Sequence, residues 1–161
     1  IPHVIDLFPE EYRQNVRFIL TLPPEVFEKE FSEKDRKQIV NIGPVDPMEG
    51  PALYKECDAL FLPTLLECFS ASYAEAMAME KPILTSDLGF ARTVCEDAAL
   101  YFNPVDAKDI SGKIVILIKN RSLQQELSEK GKKRLLKFSD AEERAKRYLE
   151  ICRQLIDERK N

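Results

Sequence analysis

Two glutamates and the short stretch between them hold the most chemistry in this sequence. Glu67 and Glu75 are separated by the seven residues Cys68-Phe-Ser-Ala-Ser-Tyr-Ala74. The stretch reads as a loop end running into a helix, so the backbone amides of Phe69, Ser70 and Ala71 lack intrahelical acceptors. Those amides and the helix dipole favour an anion. Ser70 or Ser72 can also cap or donate. Carboxylates suit sugar hydroxyls, because one oxygen pair accepts from two vicinal O–H groups. The segment therefore offers an anion cradle flanked by two carboxylates. A plainer reading stands beside it: glutamate at a helix start complements the dipole, and a second one two turns on belongs to a solvated face.

The elements that must position these groups are legible as alternating patterns. Continuous apolar runs at Val16–Leu22, Ile39–Ile42, Ala59–Leu62, Ile83–Ser86 and Ala99–Phe102 read as strands of a parallel sheet, buried on both faces. Helices are predicted between them at Val26–Lys37, Ala52–Cys57, Ser70–Met79 and Phe90–Glu96. Strand, helix, strand, repeated, means βαβ units. The last third is helical: Ala107–Lys119 with Asp106 as N-cap, a helix opened by the box Ser122-Leu-Gln-Gln125, and one opened by Ser139-Asp-Ala-Glu142 and running to about Arg159. Leu149, Cys152, Leu155 and Ile156 form the apolar stripe of that last helix. The expected fold class is α/β: a Rossmann-like, three-layer open parallel sheet with flanking helices and a helical tail. Such sheets bind ligands at the carboxyl ends of their strands. The loops to inspect are Pro23–Glu25, Gly43–Gly50, Pro63–Ser70 and Asp87–Phe90.

Composition narrows the classes of function. The 161 residues fit one domain and carry a net charge of -4 with acids and bases mixed, which argues against a nucleic-acid partner. The start, Ile1–Phe8, lacks a basic signal region, and no apolar run reaches membrane-span length. A soluble, cytoplasmic protein is expected. Cys57, Cys68, Cys95 and Cys152 form no Cys-x-x-Cys pair, and His3 is the single histidine, so no metal site is expected. The thiols are expected to be reduced and mostly buried. Only five glycines are present, without the Gly-x-Gly-x-x-Gly of dinucleotide oxidoreductases or the Gly-x-Ser-x-Gly of hydrolases. A receiver-like signalling domain needs clustered acids after its first strand, where this chain has Thr21-Leu-Pro-Pro.

The segment Glu67-Cys-Phe-Ser-Ala-Ser-Tyr-Ala-Glu75-Ala-Met-Ala-Met-Glu-Lys-Pro82-Ile resembles the signature of glycosyltransferase family four, retaining enzymes of the GT-B fold. The pattern is Glu, seven residues, Glu, then Ala-Met-Ala, then a Pro opening an apolar strand. Upstream, Asn41-Ile-Gly-Pro-Val45 and Leu53-Tyr54 through Asp58 to Pro63-Thr64 resemble the family's turn and strand. Downstream, Ser86-Asp87-Leu-Gly89-Phe-Ala-Arg92, Asp97 to Pro104, and the tail with Gly131 and Phe138-Ser139 do likewise. The resemblance implies that Glu75 holds the nucleotide's ribose hydroxyls. It implies that Glu67, the catalytic candidate, contacts the donor sugar near the anomeric carbon. Amides of Phe69, Ser70 and Ala71 would hold sugar and diphosphate. Gly43, Pro44 and Val45 would pack on the base, and Cys68 and Thr64 would lie beside the donor. The implied reaction transfers a hexose from a nucleotide diphosphate sugar to a glycan or lipid acceptor, with retention, without a metal or other cofactor.

Departures from the pattern carry expectations of their own. Cys68 and Ser70 stand where the family has glycines that let the backbone approach the donor. Phe90 replaces a second glycine, Thr93 a common Glu, and Glu80 a common Gly. The family's domain opens with a strand and a Gly-Arg … Lys-Gly pair that neutralises the diphosphate, and Ile1–Gln14 contains neither. Losing two cations costs on the order of a few kcal/mol. Residues 1–161 are therefore expected to form one nucleotide-sugar-binding domain, half of a GT-B fold. It would lack its first strand and the acceptor-binding N-terminal domain, bind donor weakly, and not complete transfer alone. The full enzyme would have no membrane span, with peripheral membrane association left open. The alternative is a non-catalytic nucleotide-sugar-binding or assembly module that works with a separate acceptor-binding chain.

Overall fold

The computed structural model describes residues 1–159. Five short strands, all paired in parallel, alternate with helices: β1 (Phe18–Leu20), β2 (Ile39–Asn41), β3 (Leu60–Leu62), β4 (Ile83–Ser86) and β5 (Leu100–Phe102). Each lies within or on an expected apolar run. The helices are α1 (Pro2–Asp6), α2 (Glu10–Arg13), α3 (Pro24–Glu30), α4 (Gly50–Glu56), α5 (Ala71–Ala78), α6 (Gly89–Cys95), α7 (Ala107–Lys119), α8 (Arg121–Leu135) and α9 (Ala141–Glu158). The strands form two hydrogen-bonded sets, β1-β2 and β3-β4-β5. The sets share one core, in which the Phe18 and Phe61 rings lie edge to face 5.3 Å apart.

Burial on both faces holds for β4, whose four residues are all buried. It fails for β1 and β2, where the register partners Ile19 and Val40 are both exposed. Val4 and Ile5 of α1, with Phe8 just after it, cover the other face of this pair, packed around Phe18 and Ile39. A second cluster joins α5 to α6 through Tyr73, Ala76, Met77, Ala91 and Cys95. α8 lies on α5, and Gly131 makes the contact close: a Cβ there would sit 3.3 Å from Met77 Cγ.

Several local expectations are corrected. The helix expected over Val26–Lys37 breaks after Glu30, and a 3-10 turn at Asp35–Lys37 follows. Ser32 is the cause: its amide and hydroxyl both donate to Asp35 Oδ2 (3.1 and 2.6 Å), an alternative to helical bonding. Asp106 does cap α7, accepting from Lys108 N and Asp109 N. Neither expected capping box forms. Asn120, two residues before Ser122, caps α8, and Asp140, one residue after Ser139, caps α9, because their side-chain oxygens reach the Leu123 and Glu143 amides. The thiols are not mostly buried: Cys95 is buried and Cys57 half-buried, but Cys68 and Cys152 are exposed. Cys152 follows from α9, which has no buried residue, so its apolar stripe faces outward. Among the described residues, no helix is long and apolar enough to cross a membrane.

Candidate functional site

The site is assembled at the carboxyl end of β3. Pro63, which has no amide to donate, follows the strand, and residues 63–70 form an irregular loop. Ser70, in extended conformation (φ -103, ψ 121), is the N-cap of α5, so the helix begins at Ala71, one residue later than expected. Its side chain makes no capping bond. Among the described residues, the amides of Phe69, Ser70, Ala71 and Ser72 donate to no protein acceptor. The three amides read from sequence as lacking intrahelical acceptors, those of Phe69, Ser70 and Ala71, are among them.

α5 is oriented by its buried side. Tyr73, Ala76 and Met77 are inside, whereas Ala71, Glu75 and Ala78 are exposed. The exposed set recurs at helical spacing, so it lies on one face. Glu75 sits roughly 6 Å along the axis from Ala71, at 1.5 Å per residue. The free amides thus open the helix, and the Glu75 carboxylate stands one turn in on its exposed side. Beneath it runs a buried chain: Tyr73 Oη lies 2.7 Å from Thr85 Oγ1, which donates to the Leu62 carbonyl at 3.0 Å. That chain ties α5 to the ends of β3 and β4.

Glu67 is half-buried in the loop, close enough to Tyr73 that its charge adds to burial in pushing the Tyr73 phenol up. Cys68 and Phe69 are exposed, with Phe69 at 60 %, and Thr64 is half-buried. Gly43, two residues past β2, has φ 78, a left-handed conformation that favours glycine. Ile42, Pro44 and Val45 line an open groove with Glu49, the N-cap of α4, and Leu53 within it. The residue after Leu53 joins this groove to the carboxylate: Tyr54 Oη donates to Glu75 Oε2 at 3.0 Å. Burial, with Glu75 beside it, pushes the Tyr54 phenol up to about 12. No sequence spacing pairs Tyr54 with Glu75, which lie 21 residues apart.

The loop after β4 is also occupied internally. Asp87 takes a forked bond from Arg92, whose guanidinium lies 4.2 Å above the Tyr101 ring. Hydrogen bonding to Arg92 holds the Asp87 carboxyl below its usual range. Asp87, Tyr101, Asn103 and Lys113 border a second open groove. Among the described residues no three His, Cys, Asp or Glu side chains gather as metal ligands.

The model of the family described as Glycosyl transferases group 1 matches residues 11–134, and the chain belongs to that family. An N,N'-diacetylbacillosaminyl-diphospho-undecaprenol alpha-1,3-N-acetylgalactosaminyltransferase of Campylobacter jejuni is 31 % identical over 106 residues, 65 % of this chain and 28 % of that protein. A trehalose synthase of Pyrococcus horikoshii is 26 % identical over 121 residues, 75 % of this chain and 29 % of its own length. The chain thus spans less than a third of these relatives. Among solved structures, a glycosyltransferase from Rickettsia africae superposes with TM-score 0.76 at 16 % identity, over 96 % of this chain and 44 % of that one. Sucrose-phosphate synthase from Thermosynechococcus elongatus gives 0.73 at 19 %, over 86 % and 38 %. The fold is the Rossmann-like half of a GT-B glycosyltransferase.

Proposed function

We propose that this chain is the donor-binding domain of a retaining glycosyltransferase, which moves a hexose from a nucleotide diphosphate sugar to a glycan or lipid acceptor. The observation that carries the reading is the start of α5, with unpartnered amides and the exposed Glu75 carboxylate one turn in. Amides of Phe69, Ser70 and Ala71 would take diphosphate and sugar oxygens, where the helix dipole favours negative charge. Glu75 would accept from both ribose hydroxyls, and the groove at Gly43, Pro44 and Val45 would receive the base. Glu67 would contact the sugar beside the anomeric carbon, and its charge favours the oxocarbenium character that develops there. Cys68 and Thr64 would border the donor. The reaction proposed uses no metal. Relatives named as an N-acetylgalactosaminyltransferase and as trehalose synthases fit transfer of a sugar ring. A cytoplasmic place of work, with peripheral membrane association for a lipid acceptor, belongs to the same reading.

Two parts of the machinery would come from outside this chain. Residues 2–13 are spent on α1 and α2, not on a strand with phosphate-binding cations. We place that strand between β1 and β3. In doubly wound order 3-2-1-4-5-6 the first strand lies between the second and the fourth. The unpaired split between β1-β2 and β3-β4-β5 falls at that position. An acceptor-binding domain would complete the enzyme, so this chain by itself would bind donor weakly and not turn over.

The test is a ligand-observed NMR titration of the full-length protein with UDP, GDP, ADP and their common sugars. Binding of one nucleotide that is lost in a folded Glu75→Ala variant is expected. No binding by any of them, from folded protein, would sink the reading.

A further inference from the structure

We propose that Tyr54 is a positioning residue for the nucleotide: by holding one oxygen of Glu75, it keeps the other aimed at the ribose hydroxyls. The inference rests on the donor-site reading above. Glu75 stands on the exposed face of α5, where a glutamate side chain ordinarily samples several rotamers. Here Oε2 accepts from Tyr54 Oη at 3.0 Å, while Oε1 has no partner among the described residues. A carboxylate has about four acceptor positions. Tyr54 fills one, which leaves enough for two vicinal hydroxyls.

The tyrosine itself is well held. Its ring packs on the cluster formed by Tyr73, Ala76 and Met77. Its hydroxyl also lies 3.4 Å from the Ser72 carbonyl, at the start of the same helix. The phenol, pushed up to about 12, stays a donor across ordinary pH. The preceding residue, Leu53, lines the groove beside Pro44 and Val45. Successive residues of α4 thus face the base groove and the ribose carboxylate, so one helix sets the spacing of both subsites. Lys81 Nζ donates to the Lys55 carbonyl at 3.2 Å and ties the end of α4 down independently of the tyrosine hydroxyl. Removing that hydroxyl alone should therefore leave α4 in place.

The experiment compares Tyr54→Phe with wild type in the full-length protein, by calorimetric titration. The probes are UDP and GDP, each beside its 2′,3′-dideoxy counterpart. Tyr54→Phe should weaken the ribonucleotide that binds by roughly five- to tenfold, and change its dideoxy counterpart less than twofold. An equal loss for both forms would make Tyr54 a structural tie between α4 and α5, and no loss for either would make it inert; each overturns the proposal. Glu75→Ala separates this from the underlying reading. Wild type that prefers ribose to dideoxyribose, with the preference lost in Glu75→Ala, keeps the donor site whatever Tyr54→Phe does. Preference unaffected by Glu75→Ala overturns the site and this inference with it.

Discussion

At the scale of single residues, the buried hydroxyl chain under the site is the sharpest case. Thr85 donates to the Leu62 carbonyl, so Tyr73 must be the donor to Thr85. Tyr73→Phe removes the terminal donor and leaves the Thr85 bond intact. It should cost about 1 kcal/mol. Thr85→Val keeps the shape but strands the Tyr73 hydroxyl, fully buried, and strips the Leu62 carbonyl of this donor. It should cost about 2–3 kcal/mol. Urea unfolding of both variants checks the order; a Thr85→Val loss no larger than that of Tyr73→Phe contradicts it. Glu67 and Glu75 were readable as candidates because residue type and spacing suffice to suggest an anion cradle with acceptors. Tyr54 was readable as a motif residue without a role, since nothing local links it to Glu75.

At the scale of elements, α5 carries the site and α8 holds α5. Gly131 lets the two helices approach, and a Cβ would already press on Met77, which is 1 % exposed. Gly131→Ala gains up to about 1 kcal/mol of helix propensity and asks only a flexible methionine to shift, so it should be near neutral. Gly131→Val has no such room and should destabilise by about 1–3 kcal/mol. Thermal unfolding reads both, and an unchanged Tm for the valine variant would mean that α5 and α8 are not this close. Element types followed from periodicity for the five strands and for α3 to α9, while α1 and α2 were not read from sequence. Boundaries did not follow from it, because caps are set by which side chain reaches a free amide. Asn120 and Asp140 outcompete Ser122 and Ser139 on that count.

At the scale of the whole molecule, the split sheet is the feature with consequences. Phe18 and Leu20 are bonded towards β2, and Leu60 towards β4. By strand alternation, the backbone groups of Ile19 and Phe61 face the split. If a further strand fills it, the Ile19 and Phe61 amides in the full-length protein should resist hydrogen exchange as core amides do. Exchange at the rate of loop amides would rule that strand out.

By itself the sequence determined the order of strands and helices, the parallel class of sheet and the segment around Glu67 and Glu75. These rest on local periodicity and on residue types close together in the chain. Tertiary structure alone decided which groups meet: Tyr54 with Glu75, Arg92 with Asp87 over Tyr101, and Gly131 against Met77. It also decided that Cys68 and Cys152 face outward and that the sheet is divided. Those outcomes depend on how elements distant in sequence pack, and no spacing along the chain encodes the distance between two side chains on different helices.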